Sequence, residues 1–341
     1  MKAWLLKDFG LQNLQPGEVT TPDPQAGELL VKVGAVSLNF RDKAIVDGIY
    51  EPHRVPKPLI PVSDASGTIV AVGSGVTRFK VADRVNSTLY SRWIDGAPGL
   101  DEPNYCLGMP LPGGLAEYMI IHEESAVCAP ASMSDEEAST LPIAALTAWY
   151  SLMDVGRLEP GQTVLVQGTG GVSIFAAQIA AAHGARVIVT SSKDENLARV
   201  KALIGRGNVE GVNYRTHPDW ERKVLELTNG IGVDITIDVA GGNGINQSVA
   251  ATKVQGIIAQ VGFLTGQTTA LNLMPVIFRQ TTIRGIAAAP RSSFERMNVF
   301  LDLHKIKPVI DRVYSFDEAV QAFEHLSSGP FGKVVIKIAN V

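Results

Sequence analysis

The chain has 341 residues, 45% of them hydrophobic and 19% charged, with a formal net charge of -4. That length exceeds what one core usually supports, so two domains are expected, and no apolar run is long enough to cross a bilayer. The acidic balance, without a basic tract or interleaved aromatic residues, argues against nucleic acid as the main ligand.

In chain order, MKAWLLKDFG comes first; it carries Asp8 and lacks the apolar core of a secretory signal, so a cytoplasmic location is expected. The first third is rich in Val, Gly and Pro, with β-type runs at Lys2–Leu6, Leu29–Ala35, Ala65–Val72, Arg84–Thr88 and Ala116–Ile121. Pro52–Pro61 breaks any helical period and reads as an ordered loop. At Ser134 the texture changes, since Ser134 and Glu137 have capping-box spacing before an apolar run. Beyond it, strands are expected at Thr163–Gln167, Arg186–Thr190, Gly211–Tyr214, Val233–Val239, Gly256–Val261 and Thr282–Ala287. Helices near Lys193–Ile204, Pro218–Thr228 and Gly244–Thr252 alternate with them, the pattern of a doubly wound parallel sheet. FERMNVFLDLHK and SFDEAVQAFEHL are amphipathic helices, and GKVVIKI is a final strand expected to rejoin the first domain. Cys106 and Cys128 lack metal-type spacing, and the six histidines are scattered, so no metal site is expected from them.

The stretch TVLVQGTGGVSIFAAQ, Thr163 to Gln178, places a glycine turn between an apolar strand and a helical run. Gly168 allows the sharp turn and Gly170 lets backbone approach a pyrophosphate. Gly171 and Val172 open a helix whose free N-H groups face the phosphates. The match is G-x-G-G-x-S, with Ser173 where a third glycine is usual. An acid at the end of the second strand would bind the ribose hydroxyls of NAD. Here Ser191, Ser192 and Lys193 stand there instead, suited to a 2'-phosphate, so NADP(H) is expected. Ser192 and Glu195 also satisfy a capping box, and Asp194 is the rival ribose ligand. Ligands of open α/β sheets sit at the carboxyl ends of the strands, which adds Ala240, Val261 and Phe263 as cofactor contacts. The glycines after Val239 are equally accounted for by a tight turn.

SLNFRD (Ser37–Asp42), PVSDASGTIVAVGSGV (Pro61–Val76), FKVADRV (Phe79–Val85), GGLAEYMII (Gly113–Ile121) and LPIAALTAW (Leu141–Trp149) together resemble the medium-chain dehydrogenase/reductase superfamily. The resemblance spans essentially the whole chain. It implies an α/β protein with a GroES-like β-rich catalytic domain, residues 1–125 with 290–341, and a doubly wound Rossmann domain, residues 126–289. In the zinc alcohol dehydrogenases of that superfamily, a cysteine, a histidine-glutamate pair and a later cysteine or acid hold the catalytic metal. Those positions fall on Asn39, Ser63 with Asp64, and Ile143, which cannot form a three-ligand zinc site. The structural-zinc lobe keeps only Cys106. The zinc-independent branch of quinone oxidoreductases, zeta-crystallin-like proteins and enoyl reductases is the one it looks like.

That branch implies Thr147 near the nicotinamide, Tyr214 against the 2'-phosphate, Lys333 in an element closing over the cofactor, and Tyr50 near the substrate. Asn39 is a candidate for the substrate oxygen or the nicotinamide ribose, or else caps the next helix. Arg41 and Asp42 are expected to pair and fasten that helix. The expected function is NADPH-dependent, zinc-free hydride transfer to a quinone or an α,β-unsaturated carbonyl, with Tyr50 and Asn39 as hydrogen-bond donors. An alcohol dehydrogenase and a non-catalytic, crystallin-like NADPH binder are the alternatives. Thr282–Ala287 is expected to be an edge strand that a second copy could pair, giving a homodimer.

Overall fold

The computed structural model describes residues 1–205 and 209–338; the last residues of the expected C-terminal segment, 339–341, lie outside the described range. Contacts divide the chain into two compact units, Met1–Leu146 with Ala288–Val341, and Thr147–Ala287.

The first unit begins with an antiparallel ribbon of β1 (Lys2–Leu6) and β2 (Leu14–Glu18). The long β3 (Glu28–Leu38) follows, then α1 (Phe40–Val46), β4 (Asp64–Val72), β5 (Arg84–Ser87), β6 (Tyr118–His122), β7 (Ala126–Cys128) and α2 (Asp135–Ala138). Ser134 and Glu137 form the expected capping box at α2, with bonds of 3.0 and 3.2 Å. Wide-turn helical segments Leu141–Ala145 and Tyr150–Val155 flank α3 (Leu146–Trp149). The boundary between units thus falls later than residue 125. β7 pairs antiparallel with β5, and Asp135 of α2 accepts from Arg84 and Ser66, so this stretch is committed to the first unit's sheet.

The second unit holds β8 (Thr163–Gln167), α4 (Gly171–Ala182), β9 (Arg186–Ser191), α5 (Asp194–Ile204), β10 (Val209–Asn213), α6 (Trp220–Leu227), β11 (Val233–Asp238), α7 (Ile245–Ala251), β12 (Thr252–Gln260), α8 (Leu273–Arg279) and β13 (Thr282–Gly285). Its six strands are all parallel in the order β10-β9-β8-β11-β12-β13, which makes β13 an edge. Val164, Leu165, Val166, Ile235 and Ile237 are fully covered, as expected of central strands buried on both faces.

The chain then returns to the first unit through α9 (Arg291–Leu303), β14 (Ile310–Ser315), α10 (Ala319–Ser327) and β15 (Lys333–Lys337). β15 pairs antiparallel with β3, with Val334 opposite Leu38. That register completes a sheet in the order β14-β15-β3-β4-β5-β7, with β6 also on β3. It also delivers Lys333 beside the start of α1.

Candidate active site

In the second unit the parallel register aligns strand ends. Gln167 lies opposite Thr190, Ser191 opposite Asn213, and Asp238 opposite Gln260. The residues just beyond, Gly168, Ser192, Tyr214, Ala240 and Val261, therefore share one rim, the edge at which such sheets bind ligands. Gly168 turns the chain at φ +74°, where a side chain is disfavoured, and its N-H donates to Thr190 O at 2.9 Å. Gly170 caps α4 with ordinary φ, and a Cβ there would meet no protein atom within 4 Å. Nothing inside the protein demands glycine at 170, so the space it leaves is directed outward, where the N-terminal N-H groups of α4 point. Ser173, at the third-glycine position, is buried and donates to Gln167 O at 2.7 Å, tying helix to strand.

Under this rim lies a network of neutral donors around Asp238. Ser248 Oγ donates to its Oδ2 at 2.7 Å, and the N-H groups of Ala240 and Gly241 donate to Oδ1 at 3.1 and 2.9 Å. Gln167 Nε2 joins Ser248 at 2.8 Å. Gly241 and Gly242 have positive φ, and a Cβ on Gly241 would come 2.7 Å from Gly262 O, so the turn itself requires these glycines. Val261 N donates to Asp238 O at 2.8 Å, and Val261 and Phe263 are half-buried. Thr147 is buried, its carbonyl accepting from Ser151 Oγ, while Gly171 and the half-buried Val172 form the first turn of α4.

At the end of β9 one detail departs from expectation. The N-cap of α5 is Lys193, and Ser191 Oγ accepts the Lys193 N-H at 3.2 Å, so the Ser192–Glu195 capping box does not form. Lys193 and Tyr214 are exposed and Ser192 half-exposed. Asp194 accepts from Asn213 at 2.9 Å, and Asn196 donates to Thr169 at 3.0 Å.

The first unit gathers the residues that stand at the metal positions. Val62 has φ +74°, a strained conformation for a β-branched residue, and it aims the buried Ser63 and Asp64. Gly108 and Gly113 press on this bend, since a Cβ on Gly113 would be 2.2 Å from Val62 O. Asp64 Oδ2 accepts from Asn39 Nδ2 at 2.9 Å and from Ile143 N at 3.1 Å, while Oδ1 accepts from Ser63 Oγ at 3.0 Å. The Ile143 N-H is free to do so because it lies in the first turn of its helical segment. Burial pushes the Asp64 carboxyl up to about 6, and the nearby Asp42 adds to this.

Asn39 is the N-cap of α1, as one of its expected roles required, and its own N-H donates to Asp42 Oδ2 at 2.8 Å. Its side chain completes a capping box with the Asp42 N-H and is also bound from other elements. Lys333 Nζ donates to Asn39 Oδ1 at 2.6 Å and to Leu38 O at 2.8 Å. Lys333 is almost wholly buried, and burial lowers its ammonium pKa while Asp64 and Asp42 oppose the shift. Lys333, expected in an element that closes over the cofactor, thus has its ammonium hydrogen-bonded inside the first unit. Arg41 and Asp42 also differ from expectation. Arg41 donates to Leu107 O and Met109 O at 3.1 and 2.9 Å, whereas Asp42 serves the helix cap.

Tyr50 is half-buried with the Arg41 guanidinium 5.4 Å from its ring centre. Tyr90, which the sequence did not single out, clusters with Leu89, Cys106, Ala288 and Ile143. Burial holds its phenol well above the ordinary range, and the same effect lifts the Cys106 thiol to about 11. Tyr90 was missed, and the burial of Asp42 and Asp64 was not foreseen, for one reason. A single acid or phenol in a loop or at a strand start has no periodic signature, and only the fold reveals its burial.

Residues 25–131 match the family described as alcohol dehydrogenase GroES-like domain, and residues 171–302 match zinc-binding dehydrogenase. A zinc-type alcohol dehydrogenase-like protein of Schizosaccharomyces pombe is 39% identical over 96% of both chains. The chain belongs to the medium-chain dehydrogenase/reductase superfamily. Among other members of the superfamily, a 2-methylene-furan-3-one reductase of Solanum lycopersicum is 31% identical over 98% of this chain and 79% of its own. A quinone oxidoreductase of Rattus norvegicus is 27% identical over 98% and 97%. A solved Sinorhizobium meliloti structure, provisionally titled an alcohol dehydrogenase, superposes with a TM-score of 0.91 at 40% identity, covering 99% of this chain and 98% of its own. This medium-chain oxidoreductase thus has a GroES-like unit and a Rossmann-type unit of the kind that binds nicotinamide cofactors.

A zinc ion, implied by one matching family, does not fit the donor set of this superfamily member. Ile143 has no ligand atom in its side chain, and the Asn39 amide is taken at both ends by Lys333 and Asp64. Among the described residues, no group of three or more His, Cys, Asp or Glu side chains is arranged to hold a metal. Likewise, no described helix is long and apolar enough to cross a membrane.

Proposed function

We propose that this protein is an NADPH-dependent, zinc-free reductase of a quinone or an α,β-unsaturated carbonyl. The observation that carries the reading is the cross-linking of Asn39, Ser63, Asp64 and Ile143 to one another instead of their presentation as ligands. Without a metal to polarise a carbonyl, substrates whose conjugation spreads the incoming charge are favoured. When bound, the nicotinamide supplies the hydride. Hydride addition at the β-carbon moves the alkene electron pair to the carbonyl oxygen as an enolate, and a proton from solvent or a phenol completes the product. Tyr50 and Asn39 are the donors proposed to meet that oxygen, and Tyr90 is a phenol that burial keeps protonated.

Support for NADP(H) over NAD(H) comes from exposed Lys193 and Tyr214 beside Ser191 and Ser192, and from the engagement of Asp194 with Asn213. Gly168, Gly170, Gly171, Val172, Thr147, Ala240, Val261 and Phe263 are proposed to contact the cofactor. The protein is further proposed to be a cytoplasmic homodimer. The edge strand β13 adjoins exposed Leu273, Met274, Ile277 and Phe278 on α8.

NADPH oxidation followed by stopped flow against a quinone and enone panel tests the reading, and failure with every activated acceptor overturns it. The relatives named alcohol dehydrogenases favour a second reading, reversible alcohol oxidation with bound zinc. Stoichiometric zinc in the purified protein would establish that reading instead.

A further inference from the structure

Asn39 has three polar valences to fill, one carbonyl oxygen and two amide hydrogens. The oxygen accepts from Lys333 Nζ at 2.6 Å, and one hydrogen goes to Asp64 Oδ2 at 2.9 Å. An ammonium can only donate, so the atom facing it is the oxygen, and the amide orientation is settled by its partners. The second hydrogen meets no acceptor among the described residues, and Asn39 is only half-buried. Lys333 is held in turn by Leu38 O, and it arrives on β15, whose pairing with β3 leaves it little freedom. A cation on an amide oxygen draws electron density from nitrogen and strengthens the remaining N-H as a donor. Low surrounding dielectric enlarges the effect.

We propose that Lys333 is a positioning residue that polarises the Asn39 amide, making its second N-H the electrophilic donor to the substrate oxygen at the place where relatives use a metal. This rests on the reductase reading above. Asn39 is then the group that touches substrate, and Lys333 acts through it. The remaining buried charges are Asp64, which fixes the amide plane, and Asp42, which accepts from the Asn39 backbone.

Two readouts test the proposal. In protein labelled with 15N-asparagine, the Asn39 side-chain signals, assigned by their loss in Asn39→Asp, should lie downfield of the other asparagine side chains. They should move upfield in Lys333→Met and return with Lys333→Arg. This measurement needs no substrate, so it decides the polarisation even if no acceptor is ever turned over. In kinetics with an active acceptor, Lys333→Met should lower kcat about a hundredfold with KM for the acceptor changed less than about threefold, and Lys333→Arg should recover at least about tenfold. If Lys333→Met does not fold, Asn39→Ala should give the same kcat loss, and adding Lys333→Arg to it should cost nothing further. Unchanged Asn39 signals in Lys333→Met, or a kcat within about threefold of wild type in both Lys333→Met and Asn39→Ala, overturn the proposal.

Discussion

Each unit buries an aspartate at its functional edge, and the two are compensated in different ways. Asp238 of the Rossmann-type unit is met by a serine hydroxyl and two backbone N-H groups, all neutral. Asp64 of the GroES-like unit also takes neutral donors, but it shares its surroundings with a second buried acid, Asp42, and with the Lys333 ammonium, while the Arg41 guanidinium acts on Asp42. Dipoles that are part of the backbone cannot be removed by changing a side chain, whereas one ammonium answering two acids can. The network around Asp238 is therefore robust, and the pocket around Asp64 leans on Lys333.

The largest expected effect strikes that dependence directly. Lys333→Met removes the buried ammonium that faces Asp64 and Asp42, leaving only the Arg41 guanidinium near Asp42, and should cost about 3–5 kcal/mol in urea unfolding. Asp238→Asn, which keeps the shape and most acceptors, should cost about 1–3 kcal/mol. Equal costs would erase the distinction between the networks. Next comes Gly170→Leu, which fills space that no protein atom claims. It should weaken NADPH binding about a hundredfold by calorimetry while altering stability by about 1 kcal/mol or less. A large stability loss with binding intact would show that the glycine serves the fold. Lys193→Glu should reduce the NADPH over NADH preference in kcat/KM about tenfold, consistent with loss of one charge-assisted contact.

The smallest effect is a slope. Asp64 is lifted from 3.8 to about 6, so between about pH 4 and about pH 6 the folded chain binds more protons than the unfolded one. Stability from this group is present at low pH, falls as pH rises through that window, and levels off above it. Asp64→Asn should flatten the slope by at most about 1.4 kcal/mol per pH unit. Parallel stability profiles for the variant and the wild type would refute the assignment.

Most of the architecture was legible because periodicity and turn chemistry reflect local physics. Strands such as Lys2–Leu6 and the alternation after Thr163 follow directly from apolar patterning. β2 was missed; it holds Pro16 and Gly17, which weaken a strand pattern, yet an edge position in a ribbon tolerates both. β14 was missed because Asp311 and Arg312 mask its alternation, and α8 because its apolar residues are left exposed. In the site, the loss of metal-ligand chemistry at Asn39, Ser63 and Ile143 could be read residue by residue. What replaced it could not. The hydrogen bond from Lys333 to Asn39 joins residues 294 positions apart, and no local pattern announces that Lys333 turns inward.

That separation has a consequence for biogenesis. β15 begins 294 positions beyond Asn39, so during synthesis Asp42 has its neighbour Arg41 from the outset, whereas both acids meet the Lys333 ammonium only after β15 has emerged. Until then, closing the core around Asp64 and Asp42 costs more, because burying an acid without its full set of partners is unfavourable. The strand that closes the sheet thus also brings the ammonium to the pocket.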